Sequence, residues 1–541
     1  MKTTLKELVG KSNEGIYLAI LLFFFSACKK DVDLEHDPTS SHKKHRIELK
    51  ECYDQFAKIL SQALNENTDL REFIRENALK QFNRDYDVFY HFVKNEAVGN
   101  KTFREVLKDF EQYPYQLDAI ENTAPLLTIF IPTLPEGSFS PEKWNSVSEV
   151  PLVASELMDS DATIPVFDNG RKVLSLQAHE IPGFPVVVIK TNERVVLKKN
   201  DAKVSSIGKK SSADRYVYKS SNFDGSKFSS ADMSEKKASA SALTSRAAAS
   251  PTIDPKLVKA FEIFGSTPDY WQRDYIYYDI TKSNKNGGIK TNYVETISSI
   301  ELTRDALDKM MDQPEDPKVL EGDREIYIPE GYSRSNLTGY TQQNAWTDGK
   351  FELRISVGIN NISGAGAVYD NYFPIEPTEA FYIPFKFQRR PIPGDTRIYI
   401  TYIRTPSPGR GFSKKIPIDF EVIPWSLEEN SPNWKINVVE TDASEIRTTV
   451  EESTVEFAAN FELTPVTKLL EKIGLKFGSS EKETRKSTLT WQKQLDDDDL
   501  GNVLVNFGDP IITGKGMSSG YALKSYSNSY YKLTILPKKV F

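Results

Sequence analysis

From about Glu325 to its end, the chain repeats one pattern: a short run of alternating apolar and polar residues, then a turn. A period of two places successive side chains on opposite faces, which is the signature of a strand with one covered face. The runs are Phe351 to Ile359, Phe381 to Phe387, Arg397 to Ile403, Ile416 to Ile423, Trp434 to Val439, Val455 to Leu463, Leu475 to Phe477, Thr488 to Trp491, Val503 to Phe507 and Tyr530 to Leu536. Turn residues such as Pro393-Gly394-Asp395 and Pro408-Gly409 separate them. So many short strands at this spacing predict antiparallel β-sandwich-like domains over residues 325–541, interrupted by one helix around Val466 to Ile473.

The chain before this region is written differently. Leu49, Tyr53, Phe56, Ile59, Leu60 and Ala63 recur at three- and four-residue intervals, the period of a helix with one apolar face. Asp69 with Glu72, and Thr102 with Glu105, read as capping signatures ahead of further apolar residues. The spacing therefore predicts three or four short helices over 46–112. Between them, Asn83-Arg84-Asp85-Tyr86-Asp87 opens like a calcium loop but has Val88 where glycine belongs and Lys94 where glutamate belongs. It reads as a turn between helices, and His91 beside it as a packed side chain. Strands are expected at Leu126 to Ile131, Ile164 to Phe167 and Lys172 to Leu176, with a hairpin formed by Phe184 to Ile189 and Arg194 to Leu197 around Thr191-Asn192-Glu193. The fold class is then α+β, mainly β: a small helical region followed by antiparallel sandwich-like domains.

Residues 199–252 are dominated by serine, lysine and alanine and read as a linker or long loop. Pro255 to Gly265 has proline near its start and glycine past its end, as a short helix does, and 304–311 is also helical in pattern. The domain division that follows is 46–198, the linker 199–252, a mixed connecting region 253–324, and 325–541.

Histidine and cysteine restrict the chemistry. There are 5 histidines and 2 cysteines in 541 residues; no histidine follows His179 and no cysteine follows Cys52. The C-terminal half therefore lacks the residues for a Ser-His-Asp triad, a Cys-His dyad or a histidine- or cysteine-based zinc site. Carboxylate catalysis needs neither and stays open. With a formal net charge of -7, the composition argues against a nucleic-acid binder. Two local features invite ligands. Asp496, Asp497, Asp498 and Asp499 repel one another, and a hard cation such as calcium would relieve that; the alternative is a solvated acidic turn. Tyr270, Trp271, Tyr275 and Tyr277 lie in a run dense in aromatics that could stack on a sugar or peptide, and strand alternation would place Tyr275 and Tyr277 on one face; the alternative is core packing. Catalytic residues are not identified and no cofactor other than calcium is indicated.

The first thirty residues address the compartment. Lys2, Lys6 and Lys11 precede the apolar run from Ile16 to Phe25, which is about half the length a membrane-spanning helix needs. Small residues Ser26 and Ala27 follow, then Cys28, the order of a secretory signal and its cleavage site. Phe25-Ser26-Ala27-Cys28 resembles a bacterial lipobox, and Lys29-Lys30-Asp31-Val32-Asp33 resembles the surface-export stretch of Bacteroidota lipoproteins. The resemblance implies removal of residues 1–27, lipid on Cys28, a tether over 28–45, and an outer-membrane protein that is surface-exposed or periplasmic. The expected partners are the membrane, through that lipid, and a surface protein or glycan. Three functions follow: a non-catalytic binding or assembly module, a carboxylate-dependent glycan hydrolase, or a calcium-dependent adhesion module.

Overall fold

The computed structural model describes residues 38–134, 139–156, 163–176, 180–198, 215–227, 253–265, 272–281, 283–284, 287–311, 324–327, 340–341, 346–347, 349–361, 366–382, 385–388, 398–402, 412–441, 449–457, 485–493, 498–516 and 520–540. The chain divides into two compact units, residues 1–48 and 49–541. In the first, the described residues are the opening turns of helix α1 (Pro38–Glu66), which begins inside the stretch read as a tether. The signal, Cys28, the rest of the tether and the helix expected at 466–473 lie outside the described residues.

In the second unit, α1 buries the set its spacing predicts: Leu49, Tyr53, Phe56, Ile59, Leu60 and Ala63. Burying a large apolar side chain of this kind contributes about 1.5–3 kcal/mol. Helix α2 (Thr68–Leu79) starts two residues earlier than the Asp69 signature suggests, because Asn67 caps it by accepting from the Leu70 amide at 3.0 Å. The Thr102 box is found as expected, ahead of α3 (Phe103–Lys108), and a further helix, α4 (Gln116–Thr123), follows.

These helices flank a six-stranded sheet. Its strands are β1 (Asp87–Phe89), β2 (Leu127–Phe130), β3 (Leu152–Ser155), β4 (Ile164–Asp168), β5 (Arg171–Leu176) and β6 (Val186–Thr191), in the order β1-β2-β6-β3-β4-β5. Four of the strands were expected. The hairpin was not found: β6 pairs with β2 and β3, whereas β7 (Val195–Leu197) pairs with β8 (Tyr216–Tyr218) in a separate ribbon. The Asn192 side chain explains the parting, since its Oδ1 accepts from both the Arg194 and Val195 amides and turns the chain out of the sheet. β8 lies within the serine- and lysine-rich stretch, where Tyr216 and Phe223 are buried; the averaged composition hides these few aromatics.

The C-terminal region contains helix α5 (Pro255–Phe264), helix α6 (Gln272–Tyr278) and two four-stranded antiparallel sheets. One has the order β12-β9-β16-β15, formed by β9 (Tyr293–Leu302), β12 (Ile416–Glu421), β15 (Ser525–Ser527) and β16 (Tyr531–Lys539). The other is β11-β10-β13-β14, formed by β10 (Phe351–Asn361), β11 (Gly366–Ile375), β13 (Asn430–Glu440) and β14 (Asp498–Asn506). They meet where Phe373 packs on Phe420 and where the Tyr531 hydroxyl donates to the Gly501 carbonyl at 2.9 Å. A five-stranded sheet includes a parallel pair between Glu180–Pro182 and Arg324–Tyr327. Strand outweighs helix, and the architecture is α+β, mainly β.

Candidate functional site

Among the described residues a large buried gathering of titratable groups is built from two turns and a strand far apart in sequence. The first turn, Asn83 to Asp87, carries the chain from α2 into β1 and buries Asp85 and Asp87. The second follows β6 and buries Asn192, Glu193 and Arg194, beside Lys190 at the end of that strand. The strand is β10, which supplies the buried Glu352.

Arg194 is the hub. Its Nη2 donates to Asp85 Oδ2 at 3.0 Å, its Nε to Glu352 Oε1 at 2.7 Å, and its Nη1 to the Asn83 carbonyl at 3.1 Å. Its guanidinium also lies 5.8 Å from the Phe223 ring centre. The planar fork suits such a site because several donors are held in one geometry. Lys190 Nζ donates to both Glu193 oxygens, at 2.9 and 3.0 Å, and stands 4.0 Å from Asp87 Oδ1. Asp87 Oδ2 accepts from Asn83 Nδ2 at 2.6 Å.

The two aspartates are shifted in opposite directions. Burial works against ionisation of Asp85, but the charges of Lys350, Arg194 and Lys190 outweigh it and hold this carboxyl below its ordinary value. For Asp87, burial wins, aided by the charge of Asp85, and its carboxyl is raised despite Lys190. Gly349 closes the side nearest Asp85: a Cβ there would stand 2.8 Å from Asp85 Oδ2. These carboxylates are covered and engaged with one another, so the arrangement ties the N-terminal sheet to β10 rather than presenting an acid and base to solvent.

A second, smaller cluster surrounds Arg273 on α6. Its Nε and Nη2 donate to Glu295 Oε1 at 3.0 and 2.5 Å, and its Nη1 to the Asp509 carbonyl at 2.8 Å. Tyr277 donates to the other Glu295 oxygen at 2.9 Å, and burial pushes its hydroxyl well above the ordinary tyrosine value. Arg273 also packs 5.5 Å from the ring of Trp425, which stacks on Trp434.

The expected aromatic strand is thus a helix. A helix brings residues four apart onto one face, about 5–6 Å from each other, whereas in a strand they would be about 13 Å apart. Only the helix lets Arg273 and Tyr277 reach one carboxylate. Gln272 fixes its first turn: Nε2 donates to the carbonyls of Gly265 and Ile512, while Oε1 accepts from the amides of Ile511 and Ile512. Tyr277 is buried, so it offers no ring face to a ligand, and Tyr275 is half-buried with Lys256 Nζ 5.6 Å from its ring centre. Tyr270 and Trp271 lie outside the described residues.

In the acidic run, Asp496 and Asp497 lie outside the described residues. Asp498 is buried at the start of β14, and Asp499 is exposed, its Oδ1 accepting from the Gly501 amide at 2.8 Å. No group of three or more His, Cys, Asp or Glu side chains placed to hold a metal ion occurs among the described residues. His91 is packed as expected, with Nε2 3.2 Å from the Ala124 carbonyl; burial lowers its pKa to about 4. Cys52 is half-buried and His179 lies outside the described residues.

The Arg194 hub was not anticipated. Both of its turns are visible in the sequence, but their shared destination is not: Arg194 is 109 residues from Asp85 and 158 from Glu352. Comparison with protein-family models, with curated proteins and with solved structures finds no match.

Proposed function

We propose that this chain is a cell-envelope lipoprotein, anchored to the outer membrane by lipid on Cys28, that serves as a binding or assembly module at the cell surface rather than as a catalyst. One observation carries the proposal: three lysines, a ten-residue apolar run and Ser26-Ala27-Cys28 stand in the order of a lipoprotein signal. Each buried methylene of an attached acyl chain contributes about 0.8 kcal/mol, so two or three chains anchor a protein stably. The character of the interior supports the second half of the reading. The two main charged clusters among the described residues are spent on internal ion pairs, which suits a scaffold that presents surfaces.

The test is metabolic labelling with palmitate followed by membrane fractionation. The native chain is expected to take up label and remain with the outer membrane, and Cys28→Ser to lose label and leave the membrane fraction. Retention of the unlabelled Cys28→Ser chain in the membrane would overturn the anchor. Protease shaving of intact cells then separates surface exposure, where the chain is cleaved, from a periplasmic position, where it is protected.

A further inference from the structure

The outer edge of the N-terminal sheet has a composition that selects a partner. β5 is the last strand of its sheet. Its inner edge pairs with β4, with a bulge that leaves Val173 outside the register. Along its outer edge no backbone hydrogen bond is made among the described residues. Arg171, Lys172, Val173 and Ser175 are exposed, Val173 by 51%. Most strands of this sheet bury every residue; β5 buries one, Leu176.

The strand and the helix beside it carry cations. Lys50 and Lys58 on α1, and Lys172 on β5, all act on the one carboxylate of Asp54. Lys58 Nζ sits 5.9 Å from the ring centre of Phe167 on the neighbouring strand. Arg171 adds a fourth positive charge. Asp168, opposite Arg171 in the register, accepts from Asn65 Nδ2 at 2.9 Å. A bare strand edge is a template for another strand, with main-chain hydrogen bonds giving affinity and alternate side chains giving selectivity. Lysine on an edge is also a means of repelling unwanted strands. The two roles agree on one point: a second copy of β5 would set Arg171 and Lys172 against like charges, which is unfavourable. An acidic segment meets no such opposition.

We propose that β5 docks an extended acidic segment of a partner protein by strand addition, its acidic side chains meeting Arg171 and Lys172 and its main chain pairing with the outer edge beside Val173. This names the partner class for the binding module proposed above, and so rests on that reading, but it does not depend on lipid at Cys28.

The test uses the full chain carrying Cys28→Ser and a fluorescent synthetic peptide alternating glutamate or aspartate with valine. Saturable binding that weakens with added salt is expected. Arg171→Gln with Lys172→Gln should weaken it between about threefold and tenfold, the loss of two charge pairs, with circular dichroism showing the fold intact. The same peptide N-methylated at alternate residues, which keeps its charge but cannot donate along one edge, should fail to bind. Absence of binding, or equal binding of the N-methylated peptide or of a lysine-for-acid version, overturns strand addition. So does binding to phosphatidylglycerol vesicles with none to the peptide, which would make the patch a membrane face. Failure here with Cys28 still labelled by palmitate rejects this edge and leaves the envelope reading standing.

Discussion

Among the described residues two arginines are wholly buried, and their surroundings differ. Arg273 faces one carboxylate, Glu295, which is further satisfied by Tyr277. Arg194 faces two, Asp85 and Glu352, with Asp87 and Glu193 nearby and Lys190 as the other fully covered cation. The Arg273 pair is balanced and lies within the C-terminal region. The Arg194 group has four covered carboxylates against two covered cations and the half-buried Lys350, and it joins elements from both regions of the sequence. Burying a charge is costly unless it is paired and hydrogen-bonded. A balanced pair can therefore remain local, whereas an unbalanced group has to draw in backbone carbonyls and side-chain amides from several elements, as Asn83 and Asn192 do here.

The largest expected effect tests that difference directly. Removing one partner of a buried ion pair costs about 3–5 kcal/mol, because the other charge is left covered and unmatched. Arg273→Met strands one carboxylate and Arg194→Met strands two. Both variants should lose stability in urea titrations, and Arg194→Met should lose more. If Arg273→Met proves the more damaging, the number of stranded charges does not govern the cost and the comparison fails. A companion pair, Glu295→Gln and Glu352→Gln, sharpens it: Glu352→Gln should be the milder, since three covered carboxylates remain around Arg194.

A somewhat smaller effect appears on acidification. His91 lies in neither cluster. Its pKa in the folded chain is about 4 against 6.5 for a free histidine, so the unfolded chain takes up the proton first. Stability should therefore fall as pH drops from about 6.5 to about 4, by about 3 kcal/mol in all. His91→Phe should flatten this limb. The Arg194 group adds its own response to acid. Asp85, held low, contributes stability that is present above its unfolded value and lost as pH falls through its folded value. Asp87, held high, has the opposite sign: its protonation relieves a buried charge. In a His91→Phe background, both Arg194→Met and Arg273→Met should change the acid limb, and Arg194→Met should change it more, since it strands two covered carboxylates rather than one. Equal changes from the two would mean that the groups do not differ in their titration.

Much of the architecture was legible because the signals are local. The spacing of Leu49 to Ala63 announces a helix face, and alternation announces β10, β12, β13, β14 and β16 before any contact is known. The failures share a cause. At Tyr270 to Tyr278 the aromatic pattern suits a strand, but distant partners decide: Glu295 on β9 and the Ile511 and Ile512 amides favour the helix. At Thr191-Asn192-Glu193 the flanking strands suggest a hairpin, but the Asn192 side chain and the burial of Arg194 send β7 elsewhere. The charged hub was hidden for the same reason, since no short-range period links Asp85, Arg194 and Glu352. Cys28 is the reverse case, a feature written wholly in local sequence.

The smallest expected effects come from the glycines that back each cluster, and they ask whether backbone or side chain is the harder wall. Gly287 lies against the end of α6, where an added Cβ would stand 1.6 Å from the Tyr278 carbonyl oxygen. That oxygen belongs to the backbone and can move only with the helix. Gly349 lies against Asp85, where the first atom met is a carboxylate oxygen at 2.8 Å. A carboxylate can rotate, but this one is held by Arg194 and by the Tyr86 amide at 2.8 Å. Overpacking of this kind costs about 1–3 kcal/mol. Gly287→Ala should lie at the upper end, with a loss of melting temperature at any pH, because only packing is disturbed. Gly349→Ala should lie lower but should also alter the acid limb, since displacing Asp85 from Arg194 weakens the contact that keeps its carboxyl low. Were Gly349→Ala to shift melting temperature equally at neutral pH and throughout the acid limb, the carboxylate would be acting as a spacer and not as a charge.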